Sequence, residues 1–522
     1  MMANAIPTSM HTVQYLLEGL TEHLPSGEVP VDGLSLDNRK TRPGDLFCAC
    51  AGTHTHGLLY ALAAFDAGAI AVAYEEGDCL AEQPELMEAL TTLQDKGILT
   101  IPVSDLRNKL GIIASRFYAR PSSQQFVIGI TGTNGKTSCA QFIAEALSSQ
   151  ARCGVLGTLG NGVYGQLQDS ATTTPDAISL QQQLAQLCEQ GVKNVVMETS
   201  SHGLVQGRVN GVDFNVAVFT NLSRDHLDYH ESMESYAQAK RMLFDMPGLD
   251  YAVINIDDEY GRQLLREVPA SVQVVCYGMA ETHDKFASTL THPLLLGCVT
   301  ASELTLAPSG LQMQVATPWG EGELHSSLLG RFNASNLLAA LSVLLLRGYS
   351  VQDATTMLAN VHTVPGRMQA RGGEAGLPHV VIDYAHTPDA LRAVLSALRE
   401  HTEGKLICVF GCGGDRDRGK RPLMGAEAEQ LADKIILTDD NPRSEQPAAI
   451  ISDICEGMQH PGRVRIEHDR GRAIRYALAS ATPQDIVLVA GKGHEDYQII
   501  GEQRLPFSDS EVVEAWLAEQ RS

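Results

Sequence analysis

The chain has 522 residues, with 39 Lys plus Arg against 62 Asp plus Glu and a formal net charge of −23. That balance excludes broad nucleic-acid binding, which draws most of its non-specific affinity from a basic surface. It leaves room for a local basic pocket that takes a small anion, and the length suits three or four domains of about 150 residues. The longest apolar run, Leu337 to Leu346, has ten residues and includes a serine. A membrane-spanning helix needs about 20, so no transmembrane segment is expected. The first residues show no basic patch followed by an apolar run, so no signal peptide is expected either. Eleven cysteines without a CxxC pair fit neither a disulfide framework nor a zinc site. A reducing, cytoplasmic compartment is the simplest reading.

In chain order, Ser9 is a candidate cap for a helix whose apolar face is Val13, Leu16, Leu17 and Leu20. A strand is expected around Asp45 to Cys50, and a boundary at Tyr118 to Gln125, where Pro121, Ser122 and Ser123 interrupt the pattern. The strand Phe126 to Ile130 then leads through a glycine-rich turn to a helix from Lys136. Thr174 is read as a helix cap with Pro175 at the first helical position; Leu180, Leu184 and Leu187 form the apolar face and Gly191 the stop. The runs Asn194 to Met197, Phe214 to Thr220 and Tyr251 to Ile254 read as buried strands of a largely parallel sheet. Short alternating segments between Val272 and Leu329 suggest an antiparallel addition. After a boundary near Thr363 to Arg367 come further strands at Val380, Leu406, Ile435, Val464 and Ile486. Helices such as Pro388 to Leu398 and Ala448 to Gly457 fill the intervals, so a second doubly wound α/β unit is expected.

The strongest local motif is GITGTNGKTS, Gly129 to Ser138. Glycines let backbone amides approach phosphate oxygens, and the following helix adds a favourable field. Lys136 can reach the terminal phosphates and the Thr137 hydroxyl can contact magnesium. The spacing departs from GxxxxGK[ST], because Gly129 stands six positions before Gly135, so a chance GKT in a loop stays open on spacing alone. Glu198, at the end of a strand-like run, is either a hard oxygen ligand for magnesium or a solvated turn glutamate. His226 and His230, with Asp225 and Asp228, have the composition of a transition-metal set but lack a thiolate pair. Lys240, by residue type alone, is a surface lysine on a helix. Asp383 and His386 follow the third block's first strand, where ligand crevices of open α/β sheets lie.

TGTNGKT at Thr131 to Thr137 resembles the ATP loop of the Mur ligase family. The likeness continues through METSSHGL from Met197, TNLSRDHLDYH from Thr220 and DYAHTPDAL from Asp383. GCGGDRDRGKRP from Gly411, DNPR from Asp440 and GKGHE from Gly491 complete it. The resemblance implies an α/β protein of three-domain Mur ligase architecture. Its parts would be a UDP-binding domain at 1–122, a central P-loop ATP-binding domain at 123–363, and a Rossmann-like amino-acid-binding domain at 364–522, with an active site formed as they close. The implied activity is ATP-dependent ligation of meso-2,6-diaminopimelate to the D-glutamate of UDP-N-acetylmuramoyl-L-alanyl-D-glutamate. An acyl phosphate is the intermediate and peptidoglycan precursor synthesis the setting; the expected enzyme is a monomer with two Mg2+ ions and no nucleic-acid partner.

Carried over residue by residue, the resemblance puts Gly132, Thr133, Asn134, Gly135, Lys136, Thr137 and Ser138 on ATP. Asn333, Arg367, Asp383 and His386 join them. Lys136, Glu198, His226 and Lys240 would be catalytic. Thr137, Glu198, His226 and Lys240 would serve the metals, Lys240 as a carbamylated lysine (N6-carboxylysine). Leu36, Asn38, Thr53, Thr172, Thr173, Thr174, Ser200, Gln206 and Arg208 would hold the UDP-sugar dipeptide. Asn38 stands where relatives carry serine, and capping a turn is its alternative role. Arg416, Asp440, Asn441, Pro442, Arg443, Gly491 and Glu495 would hold diaminopimelate, with Arg443 on the carboxylate that lysine lacks.

Overall fold

The computed structural model describes residues 11–52, 55–77, 83–170, 172–364, 366–374 and 376–521. The chain forms two compact units, one comprising residues 1–276 with 288–296, the other 277–287 with 297–522.

The first unit opens with the helix Val13–Leu17, capped by the Thr12 side chain, which accepts from the Tyr15 amide. The proposed cap Ser9 lies outside the described residues. Four parallel strands follow in chain order, Gly33–Ser35, Asp45–Ala49, Ala71–Glu76 and Leu99–Ser104. Asp45–Ala49 is buried throughout, as expected for a strand covered on both faces.

The larger sheet of this unit has a parallel core ordered Tyr251–Asn255, Val216–Phe219, Phe126–Thr131, Asn194–Glu198, Cys153–Gly157. Gly160–Val163 and Gln166–Gln168 extend it as an antiparallel meander that the sequence pattern did not suggest. Phe126–Thr131 is therefore central, and its carboxyl end delivers the glycine loop to the helix Lys136–Ser148. The helix expected after Thr174 runs Ala177–Glu189 and is capped by Asp176, whose carboxylate accepts from the Ile178 and Ser179 amides. Thr174 is not the cap, because its hydroxyl is committed to the Glu198 carbonyl at 2.9 Å. Pro175 accordingly precedes the helix, while Leu180, Leu184 and Leu187 are buried and Gly191 ends it at φ +76°.

The second unit contains the antiparallel meander Leu295–Ala307 (from Gly297 on), Gly310–Thr317, Gly320–Ser326, matching the alternating pattern expected there. The buried helix Arg331–Leu346 follows. A six-stranded sheet is ordered Gln369–Gly372, His379–Asp383, Ile486–Ala490, Leu406–Phe410, Lys434–Leu437, Arg465–Ile466. Only its first pair is antiparallel. Helices pack on both faces: Leu391, Leu395 and Leu398 belong to one apolar layer, and Ala473, Ile474 and Val513 to the other. The hairpin Tyr497–Ile500 with Gln503–Pro506 was not foreseen. Among the described residues no helix is long and apolar enough to cross a membrane.

Candidate active site

In the first unit the candidate residues gather at the carboxyl ends of three adjacent strands. Gly132 (φ +149°) and Gly135 (φ +84°) take backbone conformations that L side chains rarely adopt, and a Cβ on Gly132 would collide with Thr220. The loop is braced by the segment after the neighbouring strand. The Thr133 amide donates to the Asn221 carbonyl (2.8 Å) and the Asn134 amide to Asn221 Oδ1 (2.9 Å). The Thr220 hydroxyl donates to the Asn134 carbonyl at 2.6 Å. Asn221 is thus a positioning residue that reading by motif alone did not single out.

Lys136 Nζ folds over the loop and donates to the Gly132 and Thr133 carbonyls, both at 2.9 Å. Burial lowers its pKa, while Glu198 and Asp225 draw it back up. Glu198 is no solvated turn residue; it is 2% exposed. Its carboxylate accepts from Thr137 Oγ1 (2.8 Å), Thr158 N (2.8 Å) and Thr158 Oγ1 (3.1 Å). Thr158, in an unremarkable turn, had no sequence signal. The Thr137 hydroxyl and Glu198 carboxylate form a compact pair of hard oxygens beside a phosphate-type loop, the donor chemistry magnesium requires.

Lys240 is 1% exposed, which overturns the surface-lysine reading. Its helix, Met233–Arg241, turns Tyr236, Ala237 and Lys240 inward, and Nζ lies 4.1 Å from the Tyr236 ring centroid. Desolvation, then the Lys136 charge, pulls the Lys240 pKa down to about 6, against the opposing pull of Asp225. The Tyr236 hydroxyl reaches Thr133 Oγ1 at 3.3 Å, so the lysine helix is tied to the glycine loop. His226, at φ +52°, puts Nε2 3.5 Å from the Asp225 carboxylate and packs edge-on against His202. His230 instead pairs with the Ser201 hydroxyl at 2.9 Å. Among the described residues no group of three His, Cys, Asp or Glu side chains is placed to hold a metal ion. The Asp228 side chain lies outside the described residues.

Six of the expected dipeptide residues, Thr172, Thr173, Thr174, Ser200, Gln206 and Arg208, form a second cluster in this unit. Arg208 donates to Gln206 Oε1 (3.0 and 2.6 Å) and the Thr174 carbonyl (2.7 Å). Thr174 and Ser200 hydroxyls meet at 3.0 Å, and those of Thr173 and Thr158 at 3.0 Å. The Thr172 hydroxyl donates to the Thr174 carbonyl. Leu36 and Asn38 follow the strand Gly33–Ser35. Asp37, rather than Asn38, closes that turn, accepting from the Arg39 amide at 3.0 Å. Thr53 lies outside the described residues.

In the second unit every expected acceptor residue sits beyond the carboxyl end of a parallel strand, where open α/β sheets hold ligands. Arg443, in the left-handed region at φ +51°, donates from Nη1 to the Gly414 carbonyl (2.8 Å) and from its amide to the Ile499 carbonyl (3.1 Å). Asn441 Nδ2 donates to Glu495 Oε2 at 3.0 Å, and a Cβ on Gly491 (φ +116°) would crowd the Asp440 carboxylate. Arg416 is exposed on the facing loop. Asp383 accepts from the Met368 (2.8 Å) and Ala385 (2.7 Å) amides, while burial raises its pKa. It thereby shapes the turn carrying Arg367, whose guanidinium lies 5.4 Å from the Tyr384 ring centroid. His386 Nδ1 lies 2.9 Å from the Tyr384 carbonyl. Asn333, 2% exposed, donates to the Leu329 carbonyl at 2.8 Å.

Three domain families match in succession: Mur ligase family, catalytic domain at 30–118; Mur ligase middle domain at 130–344; and Mur ligase, glutamate ligase domain at 366–493. A relative from Coxiella burnetii named UDP-N-acetylmuramoyl-L-alanyl-D-glutamate–2,6-diaminopimelate ligase is 49% identical over 487 residues, covering 93% of this chain and 95% of the relative. A Pseudomonas aeruginosa protein of the same name is 49% identical over 486 residues, 93% of this chain and 94% of that one. A solved structure of an enzyme so named superposes with a TM-score of 0.75 at 37% identity, over 94% of this chain and 96% of that chain. Fold and site together define an ATP-dependent ligase that forms amide bonds. The chain belongs to the Mur ligase family.

Proposed function

We propose that the chain joins meso-2,6-diaminopimelate to the D-glutamate carboxylate of UDP-N-acetylmuramoyl-L-alanyl-D-glutamate, using ATP, in the cytoplasmic synthesis of peptidoglycan precursor. The observation that carries this reading is near-full-length identity of 49% to relatives named for that reaction. Domains at 1–122, 123–363 and 364–522 belong to the same proposal.

The glycine loop and Lys136 orient ATP so that a carboxylate oxygen of the dipeptide attacks the γ-phosphorus, breaking its bond to ADP and leaving an acyl phosphate. The diaminopimelate amine then attacks the acyl carbon and loses a proton, and the tetrahedral intermediate collapses by expelling phosphate. Magnesium held by Thr137 and Glu198, with a second ion served by His226 and the modified Lys240, would neutralise charge on the transferring phosphate. Arg208, positioned by Gln206 and Thr174, suits a carboxylate or peptide oxygen of the dipeptide. Arg443, anchored on Gly414, suits the distal carboxylate of diaminopimelate.

Phosphate release in the presence of UDP-sugar dipeptide, measured with diaminopimelate and with L-lysine, tests the reading. Unmutated enzyme should strongly prefer diaminopimelate. Arg443→Ala should raise its KM about 30- to 150-fold, equivalent to about 2–3 kcal/mol of charged hydrogen bonding, and leave the KM for ATP nearly unchanged. Equal use of the two amino acids by the unmutated enzyme, or a variant with undiminished preference, would remove the acceptor assignment.

A further inference from the structure

Lys492 lies within the GKGHE segment but was not among the expected site residues. Its side chain is fully buried, 0% exposed, directly after the sheet strand Ile486–Ala490. Nζ donates to Asn441 Oδ1 at 3.0 Å and the Tyr497 carbonyl at 2.7 Å. It also stands 3.5 Å from both the Asp440 and the Glu495 carboxylates. One buried ammonium thus meets the DNPR turn, the GKGHE turn and the start of the 497–506 hairpin. The hairpin closes the arrangement: the Ile499 amide donates to Asn441 Oδ1 (2.9 Å) and the Gly501 amide to the Arg443 carbonyl (2.8 Å). The nearby buried cation Arg470 has both Nε and Nη2 committed to Asp509 at 2.7 Å. Its charge also feels Asp440 and Glu495, but Lys492 Nζ is the cation that stands 3.5 Å from each of them.

We infer that Lys492 is the positioning residue of the acceptor pocket, holding Asn441 and Glu495 in register through its bond to Asn441 Oδ1 and its ion pairs with Asp440 and Glu495. Removing the ammonium would leave both carboxylates without this ionic partner, and like-charge repulsion would push the two turns that carry them out of register. Lys492 touches no substrate in this scheme; it acts through the residues that do. The inference rests on the proposed acceptor site, and its test separates the two.

Lys492→Gln keeps a hydrogen-bond donor and drops the charge; Lys492→Met drops both. In each folded variant the KM for diaminopimelate should rise about 10- to 100-fold while the KM values for ATP and UDP-sugar dipeptide stay nearly constant. The kcat should change little, so that the loss lies in the KM for diaminopimelate alone. A merely structural lysine would instead lower thermal stability and depress kcat for all substrates together; this result overturns the inference. So does failure of both variants to fold, which would make Lys492 a core residue. If unmutated enzyme turns over only another amino acid, the diaminopimelate reading falls. The same comparison, run with that amino acid, then decides on Lys492.

Discussion

Lys136→Ala should reduce ligation by roughly 10³-fold, at the upper end of what removal of a single positioned electrostatic group costs. The cause is local: the ammonium sits on the glycine loop, held by two carbonyls whose own positions depend on left-handed glycines and on Asn221. An ATP γ-phosphate would replace those carbonyls as its partner, and alanine has nothing to offer the developing charge. The loss should fall on kcat more than on the KM for ATP, because backbone amides of the loop still bind the other phosphates. Circular dichroism and melting temperature should change little, since the two lost bonds are worth about 1 kcal/mol each. Product formed at near-normal rate by the folded variant would end the proposed role of Lys136.

What could be read from the sequence, and what could not, divides along physical lines. The glycine loop, the strand feeding it and the helix after it were legible because each rests on local chemistry: apolar runs, glycine freedom and a helix start. Most strands of the larger sheet's parallel core and of the six-stranded sheet were legible for the same reason, whereas of the four-stranded sheet only Asp45–Ala49 was. The helix at Ala177–Glu189 was placed with the wrong cap because Thr174 and Asp176 are both good caps by residue type. Only the tertiary bond from Thr174 to the Glu198 carbonyl decides between them. Thr158 and Lys492 were invisible, since their value comes from partners 40 and 51 residues away in sequence. The 497–506 hairpin was missed because it is short and largely exposed, with little apolar alternation to announce it. The motif resemblance named candidate site residues that periodicity could not, and the burial of Lys240 departs from its residue-type reading as a surface lysine.

Lys240→Ala should be nearly inactive, and a small carboxylate supplied in solution should restore part of the activity. Carbon dioxide adds only to a neutral amine: the nitrogen lone pair forms a bond to carbon, a proton leaves, and an anionic carbamate remains. An exposed lysine is almost wholly protonated at neutral pH. Lys240 is different because desolvation and the neighbouring Lys136 charge bring its pKa down to about 6. The folded-state pKa lies below the ordinary lysine value, so the amine is neutral above about pH 6 and protonated below it. Carbamylation should follow the same sign, present at pH 8 and lost as the pH falls through 6. Carbon-13 NMR of protein equilibrated with labelled bicarbonate should show a carbamate resonance at pH 8 that is absent from Lys240→Ala. Conversion of the amine to a carbamate also exchanges a cation for an oxygen anion within range of the Lys136 charge, turning a repulsive pair into an attractive one. The modification should therefore raise the Lys136 pKa and hold its ammonium charged for the phosphate. A folded, fully active Lys240→Ala enzyme, or active wild-type protein without the resonance, would remove the modification from the mechanism.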